Sequence, residues 1–203
     1  VNHFAWGKQE WRIMEAFTLD LEHLHSAKTE GISGLLGYEL LQDYTLILNY
    51  QQQQLCLLDQ QVNLALHQPP VRLPFVLDGH LPVVEVKIAE QSLRLGVDTG
   101  SASNILNQSW QKLLSQVGGA SWHEELQGLD QTVHRVEALQ VEQLQYAEEF
   151  MQTKFLLLDL SHLQDPAAKP LDGLLGHDFL SNFIVAIDYP RGEILLWPVA
   201  LQR

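Results

Sequence analysis

Leu93-Arg94-Leu95-Gly96-Val97-Asp98-Thr99-Gly100-Ser101 is the stretch on which the reading of this chain turns. Apolar residues at alternate positions of Ser92–Val97 predict a strand, and the strand delivers a carboxylate onto a tight Gly turn. A carboxylate so placed, with a hydroxyl neighbour to hold the loop, suits general-base work on a water molecule. Further along comes Leu171-Asp172-Gly173-Leu174-Leu175-Gly176, an acidic turn followed by two apolar residues and a Gly. Such chemistry calls for two carboxylates sharing one proton, because close like charges do not both ionise. Only one Asp-Thr-Gly occurs in the chain, so the second carboxylate is expected from elsewhere.

Around this loop the pattern is mostly that of strands. Pro82–Ile88 alternates apolar and polar residues, Ala89-Glu90-Gln91 reads as a turn, and Ser92–Val97 returns. Asn107–Val117 has helical spacing, with Trp110, Leu113, Leu114 and Val117 on one side and Gly118-Gly119 as a stop. Thr132–Gln145 and Lys154–Leu160 read as further strands. A short helix is expected over His177–Asn182, then a closing hairpin of Phe183–Tyr189 and Glu193–Trp197 around Pro190-Arg191-Gly192.

The chain also resembles itself. Leu19–Leu58 aligns with Leu158–Trp197 without a gap, which lays Gly34-Leu35-Leu36-Gly37 on Gly173-Leu174-Leu175-Gly176 and Tyr50 on Tyr189. Self-similarity of this kind marks a duplicated structural unit. The glutamine run Gln51–Gln54 falls on the Pro-Arg-Gly turn and reads as a solvated turn. The second copy is complete; the first holds only the later half, a strand, Gly-Leu-Leu-Gly, a short helix and a hairpin. Pro69-Pro70 and Pro74 mark the boundary, which divides the chain into 1–68 and 69–203. A half-unit with open strand edges needs its own missing half, or another surface, to cover it. A chain beginning Val-Asn-His is then expected to be a fragment with an upstream half, which leaves the compartment open, with a lean towards an exported or periplasmic protein.

Arg72–Ala200 resembles the retropepsin-like aspartic proteases, of the bacterial sort that occurs as two copies in one chain. The resemblance rests on Val97-Asp98-Thr99-Gly100-Ser101-Ala102-Ser103 and on Leu171-Asp172-Gly173-Leu174-Leu175-Gly176-His177-Asp178-Phe179-Leu180. It implies a mainly β fold, a closed β-barrel of the acid protease type with one or two short helices, preceded by the C-terminal half of a second copy. It implies an endopeptidase in which Asp98 is one catalytic carboxylate, with the second supplied by the upstream copy or by a homodimer partner. Thr99 would brace the paired loops, Gly100 would give the backbone room, and Ser101 would hydrogen-bond the Asp98 carboxylate. Leu174, Leu175 and Gly176 would support the loop from beneath. The flap over a polypeptide substrate would fall in Leu126–Gln131, around Gly128. A non-catalytic binding or dimerisation domain on the same fold is the alternative.

Composition narrows the rest. Among 203 residues, 12 basic against 25 acidic give a net charge of −13, and without a basic run a nucleic-acid footprint is not expected. No apolar stretch approaches membrane-spanning length. His23-Leu24-His25 and His123-Glu124-Glu125 raise a metal site, but Gln127 stands where a zinc helix would need His, so neither metal nor cofactor is expected. Asp172 and Asp178 read as local caps, Glu137–Glu149 as a solvated face, and Cys56 in its apolar strand as a buried small residue.

Overall fold

The computed structural model describes residues 3–7, 9–12, 18, 34–59, 68–114, 119–127, 133–161 and 169–199. Strands β1 (His3–Trp6) and β2 (Gln9–Arg12) pair, among the described residues, only with each other. Then come helix α1 (Tyr38–Leu41) and strands β3 (Thr45–Asn49), β4 (Gln54–Leu58), β5 (Val71–Asp78), β6 (Leu81–Ile88), β7 (Gln91–Val97) and β8 (Ile105–Asn107). Helix α2 (Gln111–Leu114) precedes β9 (Ser121–Gln127), β10 (Val133–Tyr146), β11 (Glu149–Leu158) and β12 (Gly173–Leu175). Helix α3 (His177–Leu180) and the hairpin β13 (Phe183–Asp188) and β14 (Glu193–Pro198) follow. The fold is mainly β with short helices. Twelve strands form one sheet in the order β4-β3-β13-β14-β5-β6-β7-β12-β8-β11-β10-β9.

The alternation that predicts β6 and β7 reflects one face turned inward. Val84, Val86 and Ile88 of β6 and Leu93, Leu95 and Val97 of β7 are buried in the main core. The two strands join through Ala89 and Glu90, at φ of 52° and 65°, a two-residue turn whose backbone twist matches the strands. β10 pairs with β6 as well as with β11, so β6-β7-β12-β8-β11-β10 return on themselves. Leu93, Leu95, Leu106, Leu144, Phe155 and Leu175 are fully enclosed, and each such side chain contributes roughly 1.5–3 kcal/mol.

β5 corrects the expectation that Pro74 marks a boundary. The strand pairs with β14 from Val71 to Pro74 and with β6 from Phe75 to Asp78, so Pro74 sits where one partner hands over to the other. There the N–H that proline lacks is least needed. Over its described part, 107–114, the Asn107–Val117 segment is less regular than expected: Asn107 ends β8, a 3-10 turn spans Gln108–Trp110, and α2 follows at Gln111–Leu114, while 115–117 lie outside the described residues. Asn107 takes the capping role, its side chain accepting from Ser109 N at 3.0 Å.

The hairpin β3-β4, the first of the two hairpins that the self-alignment matches, and the closing hairpin β13-β14 meet across β3 and β13. Ile47 stands opposite Ala186, Thr45 opposite Asp188 and Asn49 opposite Ile184. Since the self-alignment lays Ile47 on Ala186, Thr45 on Ile184 and Asn49 on Asp188, this register is the one a local two-fold axis would produce. β4 then forms one end of the sheet, with Leu55 45% and Leu58 36% exposed. Cys56 is exposed on it, contrary to the expectation of burial, because among the described residues nothing pairs with that edge.

Candidate active site

β7 ends at Val97, and Asp98 leaves the sheet where β12 holds it. β12 lies parallel to β7, Leu174 opposite Gly96 and Leu175 opposite Val97, and antiparallel to β8 on its other side. The ladder continues one step into the loop, with Asp98 N donating to Leu175 O at 3.0 Å. His177 N donates to Ser101 O at 2.9 Å, which ties the far side of the loop to the start of α3. Gly176 is needed at this crossing, since a Cβ there would stand 2.5 Å from Ser103 O and 2.7 Å from Ser101 O. Leu175, fully buried, and Gly176 lie against the loop, whereas Leu174 stands opposite Gly96 of β7 and packs with Val83 and Leu171.

Within the loop, Gly100 N donates to Asp98 Oδ1 at 2.9 Å, and Ser101 N donates to Asp98 O at 3.3 Å. The carboxylate is therefore held at one oxygen by a backbone N–H. Asp98 is half-buried while Thr99 and Gly100 are exposed at the tip. Ser101 departs from the role the resemblance implies: its Oγ donates to Ser103 O at 2.8 Å. A hydroxyl has one proton to give, and here a loop carbonyl takes it.

Asn104 is a part of the site that sequence reasoning missed. It is fully buried, accepts from Gly176 N at 2.9 Å, and donates to Thr153 Oγ1 at 3.0 Å and Lys154 O at 2.9 Å. Its side chain joins the loop, the β12–α3 corner and β11. Asp172 is likewise not a local cap. It accepts from Arg94 N at 2.8 Å and Trp110 Nε1 at 3.0 Å, fastening β7 to the turn before α2. Asp178 lies 3.9 Å from Lys154 Nζ, and that ammonium donates to Glu124 at 2.9 Å. The Lys154 hydrogen bond, helped by one from Trp122 Nε1, holds the Glu124 carboxyl below the usual carboxylate range.

The first hairpin also reaches this corner. Tyr50, just after β3, meets the His177 ring edge-on at 5.1 Å and 89°. The contact that the self-alignment makes its equivalent, Tyr38 with Tyr189, is present at 5.6 Å and 68°. Burial, and then the nearby charge of Asp98, pushes the Tyr50 phenol up to about 12. The one advance signal for Tyr50 was its alignment with Tyr189. For Asn104 there was none, because a buried amide prints nothing distinctive in sequence.

Gly128, with 129–131 of the flap segment, lies outside the described residues, as do His23, His25 and His162. The strands on either side of Gly128 do form a hairpin, with Val133 opposite Gln127. A cavity of about 400 Å³ lies between the Ala89-Glu90 turn and β10, and Asp98 is not among its lining residues.

No family model matches the chain, and no curated protein matches it. Among solved structures it is similar to a retropepsin-like aspartic protease from Rickettsia conorii, at 16% identity and a TM-score of 0.43, covering 63% of this chain and 89% of that one. It is also similar to the retroviral protease-like domain of Ddi1 from Leishmania major, at 16% identity and a TM-score of 0.37, covering 59% of this chain and 94% of that one. At this identity the likeness concerns the fold alone.

Proposed function

We propose that this chain is an aspartic peptidase in which Asp98 is one of two carboxylates activating a water for attack on a peptide bond. The observation that carries the reading is the Asp98 loop: a carboxylate at a strand end, fixed at Oδ1 by Gly100 N, partly open to solvent and braced by Leu175, Gly176 and His177. The ionised carboxylate takes a proton from water as the other, protonated, gives its proton to the scissile carbonyl oxygen. Water oxygen bonds to the carbonyl carbon, forming a tetrahedral diol without a covalent enzyme intermediate. The carboxyl that took the water proton then gives it to the amide nitrogen. The other carboxylate takes a proton back from a diol hydroxyl, and the C–N bond breaks to release the amine and the new acid.

The second carboxylate comes, in this reading, from a loop like Val97–Ser101 in an upstream copy, or from a homodimer partner. The matched ring contacts and the symmetric β3–β13 register favour the upstream copy, with 1–68 as the later half of one unit and 69–203 as the whole of the next. Thr99, exposed at the loop tip, would then meet its counterpart. The other reading, a non-catalytic domain that binds a partner strand by edge pairing, is favoured by the edge of β4 with which nothing pairs among the described residues.

A pH–rate profile on an unfolded protein substrate, for wild type and Asp98→Asn, separates the two. The peptidase reading expects a bell with its maximum on the acid side of neutrality, abolished by Asp98→Asn without loss of folding. Cleavage unchanged by that substitution would overturn it, and binding without cleavage would leave the edge-pairing domain.

A further inference from the structure

The repeat reaches further than the hairpin of β3 and β4. Strands β1 and β2 have the form of the tip of β10 and β11, one residue out of step with the match of Leu19–Leu58. Phe4 stands opposite Trp11 and Trp6 opposite Gln9, as Leu144 stands opposite Met151 and Tyr146 opposite Glu149. Gly7, directly after β1, has φ of 62°, and Ala147, directly after β10, has φ of 51°. Packing agrees with pairing. Tyr146 meets Phe183 at 5.7 Å, and Trp11 meets Tyr44, which the self-alignment lays on Phe183, at 5.8 Å.

Among the described residues, three parts of the first copy lack a partner that their counterparts have. β10 pairs with β6 through Leu144 and Gln145, whereas β1 pairs only with β2. Gly173–Leu175 lies between β7 and β8, whereas Gly34–Gly37 forms no strand. β14 pairs with β5, whereas β4 pairs with β3 alone. The missing partners are thus the counterparts of β5, β6, β7 and β8, which follow one another in sequence over Val71–Asn107. The glycines point the same way. A Cβ on Gly173 would strike the Ile105 carbonyl of β8, and one on Gly176 the Ser101 and Ser103 carbonyls of the Asp98 loop. Among the described residues, a Cβ on Gly34 would meet nothing, and one on Gly37 only the Glu39 side chain. Neither glycine is required by its present surroundings; a β8-like strand and a loop crossing beside it would require both.

We propose that β1, Gly34–Gly37 and the outer edge of β4 form one docking surface, and that its occupant is a single segment of the β5–β8 type preceding β1 in the same polypeptide. The order follows the second copy, where β5–β8 come before β10. This rests on the upstream-copy reading of the second carboxylate and gives that copy its seat. The register is that of the second copy: a β6-like strand beside Phe4 and Ala5, a β5-like strand beside Gln54–Leu57, and β7- and β8-like strands on either side of 34–36. The loop joining the last two carries the second carboxylate. It donates an N–H to Leu36 O, as Asp98 N does to Leu175 O, and crosses at Gly37. A second copy of the 203-residue chain fits less well, because its β5–β8 are already paired within its own sheet. In residues 1–203 by themselves nothing described fills this seat, so the contrasts between its leucines and those of β12 hold there and vanish in the longer polypeptide.

The test is amide hydrogen exchange, read by NMR, on the natural full-length polypeptide without substrate. Amides of 34–37, and those of Phe4–Trp6 and Gln54–Leu58 that point away from β2 and β3, should exchange about a hundredfold or more below the free-chain rate. Cys56 on β4, the one cysteine of these residues, should resist alkylation, since its counterpart Leu195 is buried. Leu36→Arg should speed exchange at all three places together, because one segment covers them. Free-chain exchange at any of the three in wild type would overturn the proposal, as would a natural polypeptide that starts at Val1. Protection found only in a dimer would assign the surface to a second copy and overturn it too. Acceleration by Leu36→Arg confined to 34–37 would refute the single segment; should that variant fail to fold, the wild-type exchange and the Cys56 labelling decide. Protection at all three places without peptidase activity would remove the peptidase reading and keep the docking. Activity in a polypeptide open at all three would do the reverse.

Discussion

Gly34-Leu35-Leu36-Gly37 and Gly173-Leu174-Leu175-Gly176 are the same four residues in two different states. The second is strand β12, clasped between β7 and β8, with Leu174 7% and Leu175 0% exposed. In the first, Leu35 is 68% and Leu36 45% exposed, and no strand forms. The helix and hairpin that follow are nonetheless alike: α1, β3 and β4 keep the order and spacing of α3, β13 and β14. A strand exists through its partners, and among the described residues none pairs with Gly34–Gly37. The same asymmetry holds among the described residues for β4, which pairs on one side only, whereas β14 at the aligned positions pairs with both β13 and β5.

Leucine truncation breaks the comparison most sharply. Leu175→Ala should cost about 2–5 kcal/mol, as expected for a fully buried leucine, whereas Leu36→Ala should change stability by only about 0.5 kcal/mol. Chemical denaturation of the two variants measures both. Equal losses would mean that Leu36 is covered in solution.

The glycines give a second contrast. A Cβ on Gly173 would come within 2.2 Å of the Ile105 carbonyl oxygen, while one on Gly34 would meet nothing within 4 Å. Gly173→Ala is expected to destabilise by about 3 kcal/mol through overpacking against backbone, and Gly34→Ala to be nearly silent. A large effect at Gly34, read from the thermal midpoint, would again point to a hidden partner.

Asn104 tests what fastens the buried tetrapeptide Gly173–Gly176 to the Asp98 loop. Asn104→Ala leaves Gly176 N, Thr153 Oγ1 and the Lys154 carbonyl each short of a partner. A cost of about 2 kcal/mol is expected, with the Gly176 amide resonance displaced. If stability falls while that resonance stays in place, the β12 ladder alone holds the corner.

How much of this was legible beforehand follows from which interactions are local. β6, β7, β13 and β14 were readable because half-buried strands print their alternation, and the Asp98 loop was readable because strand, carboxylate and Gly turn are contiguous. β9 was not, since Trp122-His123-Glu124-Glu125 lacks that alternation and owes its place to pairing with β10. β5 was obscured by Pro74, whose tolerance depends on a change of partner that no single strand reveals. Ser101 and Asp172 were placed in the right neighbourhood with the wrong bonds, because their partners are decided by how the loop crosses β12 and by where Trp110 arrives. Cys56 was misjudged because an apolar strand does not announce whether it lies at the edge of its sheet.

The smallest expected effect concerns the helices that follow the two tetrapeptides. The self-alignment makes Glu39 of α1 and Asp178 of α3 equivalent, yet Glu39 lies 3.4 Å from His80, and Asp178 shares Lys154 with Glu124. The shared lysine gives α3 an electrostatic tie to β9 and β11. Because the folded Glu124 carboxyl is held below its ordinary 4.5, chiefly by the Lys154 hydrogen bond, its contribution is present above 4.5 and is lost as pH falls through the lowered folded value. Wild type should therefore lose slightly more thermal stability on acidification than Glu124→Gln, whose amide cannot titrate, and the two curves should converge at the acid end. The gap should shrink in high salt, as expected for a tie at the surface. Parallel curves at all pH would mean that Lys154 stabilises β9 by packing and hydrogen bonding alone, and that charge plays no part in distinguishing the two helices.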